Sequence, residues 1–231
     1  YRFWPVDHSI PGACGMAVQS SAGWIGYTGD IRFHGKNGAL TTDFAEALAG
    51  LGVKALLCEG THPDPNKNEV LNESDIAELA VGIIEDYGGK LVMADFAARN
   101  LERLMTFLEV AGETGRMLLV QPKDIYLLEA CLLADPDQYG PALASESLGM
   151  LTDPKSSPRG WEKDVCGRWY DRTVSHSDVS LDPGRYILAV SLWDLNDLPD
   201  LEGITGGAYL FSNSKAYDEE QKADLDRMRA W

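Results

Sequence analysis

The stretch NESDIAELAVGIIEDYGGKLVMADF, residues 72–96, decides the fold. Ile76, Leu79, Ala80, Ile83, Ile84 and Tyr87 stand at i, i+3, i+4, i+7, i+8 and i+11, a spacing that predicts one apolar face of a helix. Asn72 sits where a cap accepts backbone N–H bonds, and Gly88 closes the far end. The strand-like run KLVMADF follows at once, so helix and strand alternate from here on.

The alternation continues toward the carboxyl end. ARNLERLMTFLEVAGETG reads as a helix with Leu101, Leu104, Met105 and Leu108 on one side, RMLLVQ as a strand and PKDIYLLEACLLAD as another helix. Such a repeat argues for right-handed crossovers in a mostly parallel sheet covered by helices. From Pro136 to Pro183 the chain is rich in Pro, Gly, Ser and Asp, which predicts a long ordered excursion with one or two short helices, parts of it packed through Trp161, Trp169 and Tyr170. RYILAVSLW and GAYLFSN read as strands and DEEQKADLDRMRAW as a last helix.

Toward the amino end the pattern differs. MAVQS and WIGYTG flank SAG, a turn with Gly23 free to take positive φ, and together they predict an antiparallel hairpin. TTDFAEALAGLG carries a capping residue before an apolar-periodic run and Gly52 after it, the marks of a short helix. It feeds VKALLCE, whose nearly unbroken apolar character predicts a strand covered on both faces and ending in Glu59. THPDPNKN connects the two regions.

Composition bounds the function. With 231 residues and 45% apolar content the chain can bury a substantial core, as one large domain or two modest ones. Its apolar runs are strand-sized, well short of the ~20 residues a membrane-spanning helix needs, so no membrane partner is expected. The opening YRFWPVDHSIPG has neither a basic leader nor a continuous apolar segment, and both ends of the chain read as cut. Four widely spaced cysteines contain no C-x-x-C pair, and Cys58 and Cys131 lie in apolar segments, where reduced, buried thiols and a cytoplasmic setting are expected. The net charge of −16 is uneven: residues 1–68 hold six acids against five bases, residues 69–231 thirty against fifteen. Charge alone therefore disfavours nucleic-acid binding.

Against that stands a resemblance. VDHSIPGACGMAVQSSAGWIGYTGDIRFHG, then VKALLCEGTH, then ARNLERL, resembles the metallo-β-lactamase superfamily in its β-CASP branch of RNase J-like nucleases. The likeness implies a partial metallo-β-lactamase sandwich half over residues 1–68 joined to a β-CASP domain over 69–231, an internal fragment lacking the H-x-H-x-D-H loop and the carboxyl-terminal histidine motifs. It implies that His8 in DHSIPG is a metal ligand, that Asp30 in YTGD is a catalytic carboxylate bridging two metal ions, and that Glu59 in LLCEGTH is a catalytic-site acid acting from behind the ligands. Two zinc ions, or manganese, would activate a water to cleave a phosphodiester of RNA or DNA. With His8 and Asp30 alone, the fragment is expected to bind no metal tightly and to be inactive, since a catalytic zinc takes about three protein ligands.

Other residues read more plainly. His34 and His62 look like loop positions and His176 like a solvent-facing histidine, none a ligand. Arg99 and Arg103 are expected one turn apart on a helix, where pairing with an acid such as Glu102 is the common fate, although Arg99 is the best phosphate contact the acidic region offers. GITGG, residues 203–207, lacks the lysine and helix start of a P-loop and reads as a glycine loop. Two further functions are open: a non-catalytic acidic interaction module with a degenerate metal site, and a hydrolase of small esters or phosphoanhydrides. A homo-oligomer is compatible with either.

Overall fold

A computed structural model of the chain describes residues 1–60, 71–151, 157–191, 194, 201–213, 219, 222–223 and 226–227. The chain forms two compact units, Tyr1–Ile76 with Asn100–Glu102, and Ala77–Arg99 with Arg103–Trp231. No described helix is long and apolar enough to cross a membrane.

In the first unit, β1 (Arg2–Pro5), β2 (Cys14–Ser20), β3 (Gly23–Tyr27) and β4 (Ala55–Leu57) form a sheet in that order. β2 pairs antiparallel with both β1 and β3, through the expected hairpin turn with Gly23 at φ 117°, whereas β3 and β4 are parallel. β1, β3 and β4 therefore all point the same way. Helix α1 (Gly38–Leu51) covers one face by placing Phe44 and Leu48 against Val6 and Ala17. The tip of the Phe44 ring comes against Gly15, where a Cβ would sit 2.4 Å from its Cζ. The helix begins three residues before the expected Thr41 and ends as expected on Gly52 in the left-handed conformation.

β4 departs from expectation. It is three residues long, pairs among the described residues only with β3, and all three residues are exposed, Leu56 and Leu57 at 51% and 55%. An edge strand with a helix on one face alone cannot hide an apolar run. The other face carries Phe3, Met16, Tyr27 and Leu57 in one cross-strand row. Cys58, expected buried, is exposed for the same reason; Cys131 is half-buried, and all four cysteines are free.

The second unit bears out the α/β reading. Helices α2 (Glu73–Asp86), whose first residues cluster with the first unit, α3 (Leu101–Glu113), α4 (Pro122–Ala134), α5 (Pro136–Ala144), α6 (Gly160–Arg168) and α7 (His176–Leu181) alternate with six strands. These are β5 (Leu91–Asp95), β6 (Met117–Val120), β7 (Leu148–Leu151), β8 (Thr173–Val174), β9 (Tyr186–Val190) and β10 (Gly207–Phe211), all parallel in the order β10-β5-β9-β6-β7-β8. Each residue of β7 and β9 is buried, as parallel strands under two layers of helix must be. The excursion expected between Pro136 and Pro183 instead contains two further strands, β7 and β8. The four-residue run LGML was the available signal, masked by the surrounding turn formers.

The face of α2 is also rotated. Glu73, Ala80 and Ile84 are buried, while Leu79, Ile83 and Tyr87 are exposed at 55%, 37% and 39%. Arg116, itself 7% exposed, fixes this end of the sheet by donating to the carbonyls of Lys90 at 2.8 Å, Tyr87 at 3.1 Å, Tyr186 at 3.3 Å and Ile84 at 3.4 Å. It thereby serves the orphan carbonyls that end α2, while burial lowers its pKa. His176, expected in solvent, opens α7 with its Nε2 buried. GITGG is a loop up to Gly207, which opens β10, with positive φ at Gly203, Gly206 and Gly207. The connector at 61–70 with His62, and most of the last helix, lie outside the described residues.

Two acids at the carboxyl edge of this sheet are buried. Asp95 ends β5 and accepts from Tyr209 Oη at 2.8 Å and Asn213 Nδ2 at 2.6 Å. Asp124 accepts from the Gln121 N–H at 3.0 Å at the start of α4. Burial raises both pKa values, that of Asp124 to about 7, with the nearby Asp194 adding to each.

Replacing Arg116 by Met leaves those carbonyls unserved, and urea unfolding is expected to show a loss of about 2–4 kcal/mol. For Asp124 the sign follows from the raised pKa. The folded state holds a proton that the unfolded state has released above its ordinary pKa of about 4, so stability falls as pH rises from about 4 to about 7 and levels off above. The slope from this one group approaches 1.4 kcal/mol per pH unit, and D124N, which keeps the acceptor for Gln121, should flatten it in midpoints measured across that range.

Candidate metal centre

The common direction of β1, β3 and β4 brings their carboxyl ends to one edge of the first sheet. The loop after β1 carries His8, the turn after β3 carries Asp30, and β4 runs into Glu59. His8 Nε2 and Asp30 Oδ2 stand 4.0 Å apart, the imidazole 26% exposed and the carboxylate 76%. Asp30 also lines an open cavity of about 490 Å³ with Tyr27, Gly29, Leu56, Leu57, Cys58 and Glu59.

Glu59 holds this turn. Its Oε1 accepts the Ile31 N–H at 2.6 Å, one residue past Asp30, and its own N–H donates to Thr28 Oγ1 at 3.3 Å. The Thr28 N–H bonds to the Leu57 carbonyl at 3.0 Å, which continues the parallel ladder past the last strand residues. Glu59 thus holds both flanks of the Gly29–Asp30 turn, through the Thr28 hydroxyl on one side and the Ile31 N–H on the other.

A third acid, Asp7, was not singled out by sequence. It is 2% exposed and its Oδ2 accepts from Arg32 Nε at 3.2 Å and the Gly35 N–H at 2.9 Å. Its N–H donates to Thr41 Oγ1 at 2.9 Å, and that hydroxyl donates to the Arg32 carbonyl at 2.8 Å. The Arg32 guanidinium also donates to Glu102, which clusters with this unit and accepts the Lys36 N–H at 2.5 Å. One buried carboxylate beside His8 is therefore bonded to the loop that follows Asp30, which fixes the separation of the two. The signal available was an acid set directly after the apolar run FWPV.

The donor set suits zinc by type, one imidazole nitrogen and one carboxylate oxygen. Two such ligands on one tetrahedral ion stand roughly 3.3–3.5 Å apart, so a shift of about half an ångström from 4.0 Å would let both reach it. Among the described residues no group of three His, Cys, Asp or Glu side chains could hold a metal ion. His34 is exposed, on the loop that Asp7 and Glu102 anchor. Arg99 lies in the turn before α3 rather than on a helix, and is exposed. Arg103 is on α3, but it donates to the Ser212 carbonyl at 3.1 Å and to Ser212 Oγ rather than facing Arg99 one turn away. Glu102, expected to pair with these arginines, pairs with Arg32.

No family model matches the chain. Half of it is similar to known nucleases: it is 30% identical over 125 residues to ribonuclease J 2 of Streptococcus pyogenes serotype M3, covering 53% of this chain and 22% of that protein. It is 31% identical over 119 residues to ribonuclease J of Mycobacterium tuberculosis, covering 50% and 21%. The match thus spans about a fifth of the length of these curated relatives. In fold the chain is similar to the crystal structure of a protein of unknown function from Enterococcus faecalis V583, with a TM-score of 0.65 at 17% identity, over 99% of this chain and 49% of that one.

Replacing Asp7 by Ala strands the Arg32 guanidinium and the Gly35 N–H beside a buried site. The expected loss is about 3 kcal/mol in denaturant unfolding, with Asp7→Asn recovering part of it through its remaining carbonyl acceptor.

Proposed function

We propose that this chain is part of a metal-dependent nuclease of the β-CASP type that cleaves RNA phosphodiester bonds. The observation that carries the reading is the convergence of His8 and Asp30 at 4.0 Å, from two different strand ends, on one open edge. The similarity to proteins named ribonuclease J supports RNA as the substrate class and hydrolysis as the reaction.

In this reading His8 gives an imidazole nitrogen and Asp30 a carboxylate oxygen to zinc, with manganese as the alternative that carboxylates also suit. Bound divalent ions supply a water of lowered pKa and a clamp on the phosphoryl oxygens. Glu59 positions Asp30 by bonding to the Ile31 N–H and the Thr28 hydroxyl on either side of it, and Asp7 positions His8 relative to the following loop. Two donors fall one short of the set of about three that a catalytic zinc uses, so these 231 residues alone bind zinc weakly and turn over no RNA. A second reading, a non-catalytic acidic interaction module, is favoured by the net charge of −16 and by the 76% exposure of the Asp30 side chain.

Zinc titration by calorimetry separates the two. Under the nuclease reading H8A and D30N each weaken zinc binding about tenfold or more at unchanged circular dichroism. Equal zinc affinity in wild type and both variants would overturn it in favour of the acidic module. Single-stranded RNA with added Zn2+ or Mn2+ should remain intact in the presence of the chain; robust metal-dependent cleavage would show that two donors suffice.

A further inference from the structure

The bonds around the candidate metal centre converge on a residue that is not itself a candidate ligand. Arg32 lies two residues past Asp30 and is tied repeatedly to Asp7, one residue before His8. Its N–H donates to the Asp7 carbonyl at 2.9 Å and its Nε to Asp7 Oδ2 at 3.2 Å. Its carbonyl accepts from Thr41 Oγ1 at 2.8 Å, and that hydroxyl accepts the Asp7 N–H at 2.9 Å. The guanidinium also donates to Glu102, the second residue of α3, which clusters with the first unit. The Arg32, Asp7 and Glu102 side chains are 12%, 1% and 9% exposed.

Gly35 closes this network. Its N–H donates to Asp7 Oδ2 at 2.9 Å, and the next N–H, that of Lys36, donates to Glu102 Oε1 at 2.5 Å. A Cβ on Gly35 would stand 2.5 Å from Arg32 Nη2 and 2.5 and 2.6 Å from the two Asp7 carboxylate oxygens. Its φ is not in the left-handed region, so contact with the Arg32–Asp7 pair, and not backbone conformation, requires glycine there. A guanidinium fork suits the place between two carboxylates because its donors point along fixed, separate directions, which a single ammonium cannot do. The His8–Asp30 distance of 4.0 Å is therefore set by a buried arginine bound to the residue beside one candidate ligand and standing two residues from the other.

We propose that Arg32, held between Asp7 and Glu102 and packed against Gly35, is a positioning residue for the metal centre, which sets the His8–Asp30 separation and couples divalent-cation binding to the Gly35–Lys36 loop. This rests on the nuclease reading and adds to it residues that act on the ion only through the ligands they place. Partners behind the ligands typically change metal affinity by about 10- to 100-fold, because a ligand held slightly out of reach must be moved before it can bind. The coupling is reciprocal: if the network favours the ion, the ion favours the network, so zinc tightens the Gly35 and Lys36 amide bonds to Asp7 and Glu102.

The test is zinc calorimetry on the 231-residue chain, paired with amide hydrogen exchange at Gly35 and Lys36. R32M and E102Q should each weaken zinc binding about tenfold. G35A, which keeps every polar group but forces Arg32 and Asp7 aside, should do the same, whereas G50A, whose Cβ meets nothing within 4 Å, should match wild type. Zinc should slow exchange of both amides in wild type and leave it unchanged in R32M and G35A. If R32M does not reproduce the wild-type circular dichroism, E102Q and G35A decide the outcome. Zinc affinity equal in wild type, E102Q and G35A, with H8A and D30N still weakening it, would mean that the network serves stability alone; that overturns the positioning role and leaves the nuclease reading intact. Zinc affinity indifferent to H8A and D30N overturns the nuclease reading and this inference with it. Amide exchange that zinc does not alter in wild type overturns the coupling.

Discussion

Parallel strand pairing is the constraint on which both units depend. A parallel ladder forces successive strands to end at the same edge, and whatever side chains follow those ends are gathered there. In the first unit this applies to β3 and β4 directly, and to β1 because two antiparallel pairings restore its direction. His8, Asp30 and Glu59 are 51 residues apart from first to last, yet they share one edge for this reason alone. In the second unit six parallel strands gather Asp95, Gln121, Ser191 and Asn213 in the same manner.

Gathering polar groups at an edge has a cost, and the fold meets it with specific bonds. Asp7 is nearly inaccessible and is acceptable there because a guanidinium and a backbone N–H serve one of its oxygens. Arg116 is the reverse case, a buried cation that donates to carbonyls at the end of α2, at Lys90 before β5 and at Tyr186 of β9. Asp124 is less well compensated, and its raised pKa records that. Each buried charge marks a place where two elements must stay in register, so these residues fix geometry more than they add stability.

The separation of scaffold from chemistry is visible in how the first unit is arranged. Phe44, Leu48, Val6 and Ala17 make a small apolar core on one face of the sheet. Asp7, Arg32 and Thr41 form the polar lattice at its edge, and only beyond that lattice do His8 and Asp30 reach the open side. An exposed His–Asp pair held by a buried network is consistent with chemistry placed on loops that a rigid base positions.

The periodicity of the sequence was enough to find the parallel α/β sheet, the hairpin and most helices, because hydrophobic spacing and glycine caps are local signals. A likeness to nucleases was likewise readable in the sequence, and about half of the chain is similar to proteins named ribonuclease J. Burial was not. VKALLCE looked like a doubly covered strand and is an exposed edge, since cover depends on what packs across a sheet rather than on the run itself. The face of α2 rotated away from Leu79, Ile83 and Tyr87 for the same reason, and β7 hid among turn formers until its neighbours paired with it. Sequence by itself determined which residue types could carry chemistry and which segments would be strands or helices; only the tertiary structure decided that Asp7 joins His8 to the loop beyond Asp30 and that Tyr126 meets Trp161, because both contacts are made across strand order, which no local spacing encodes.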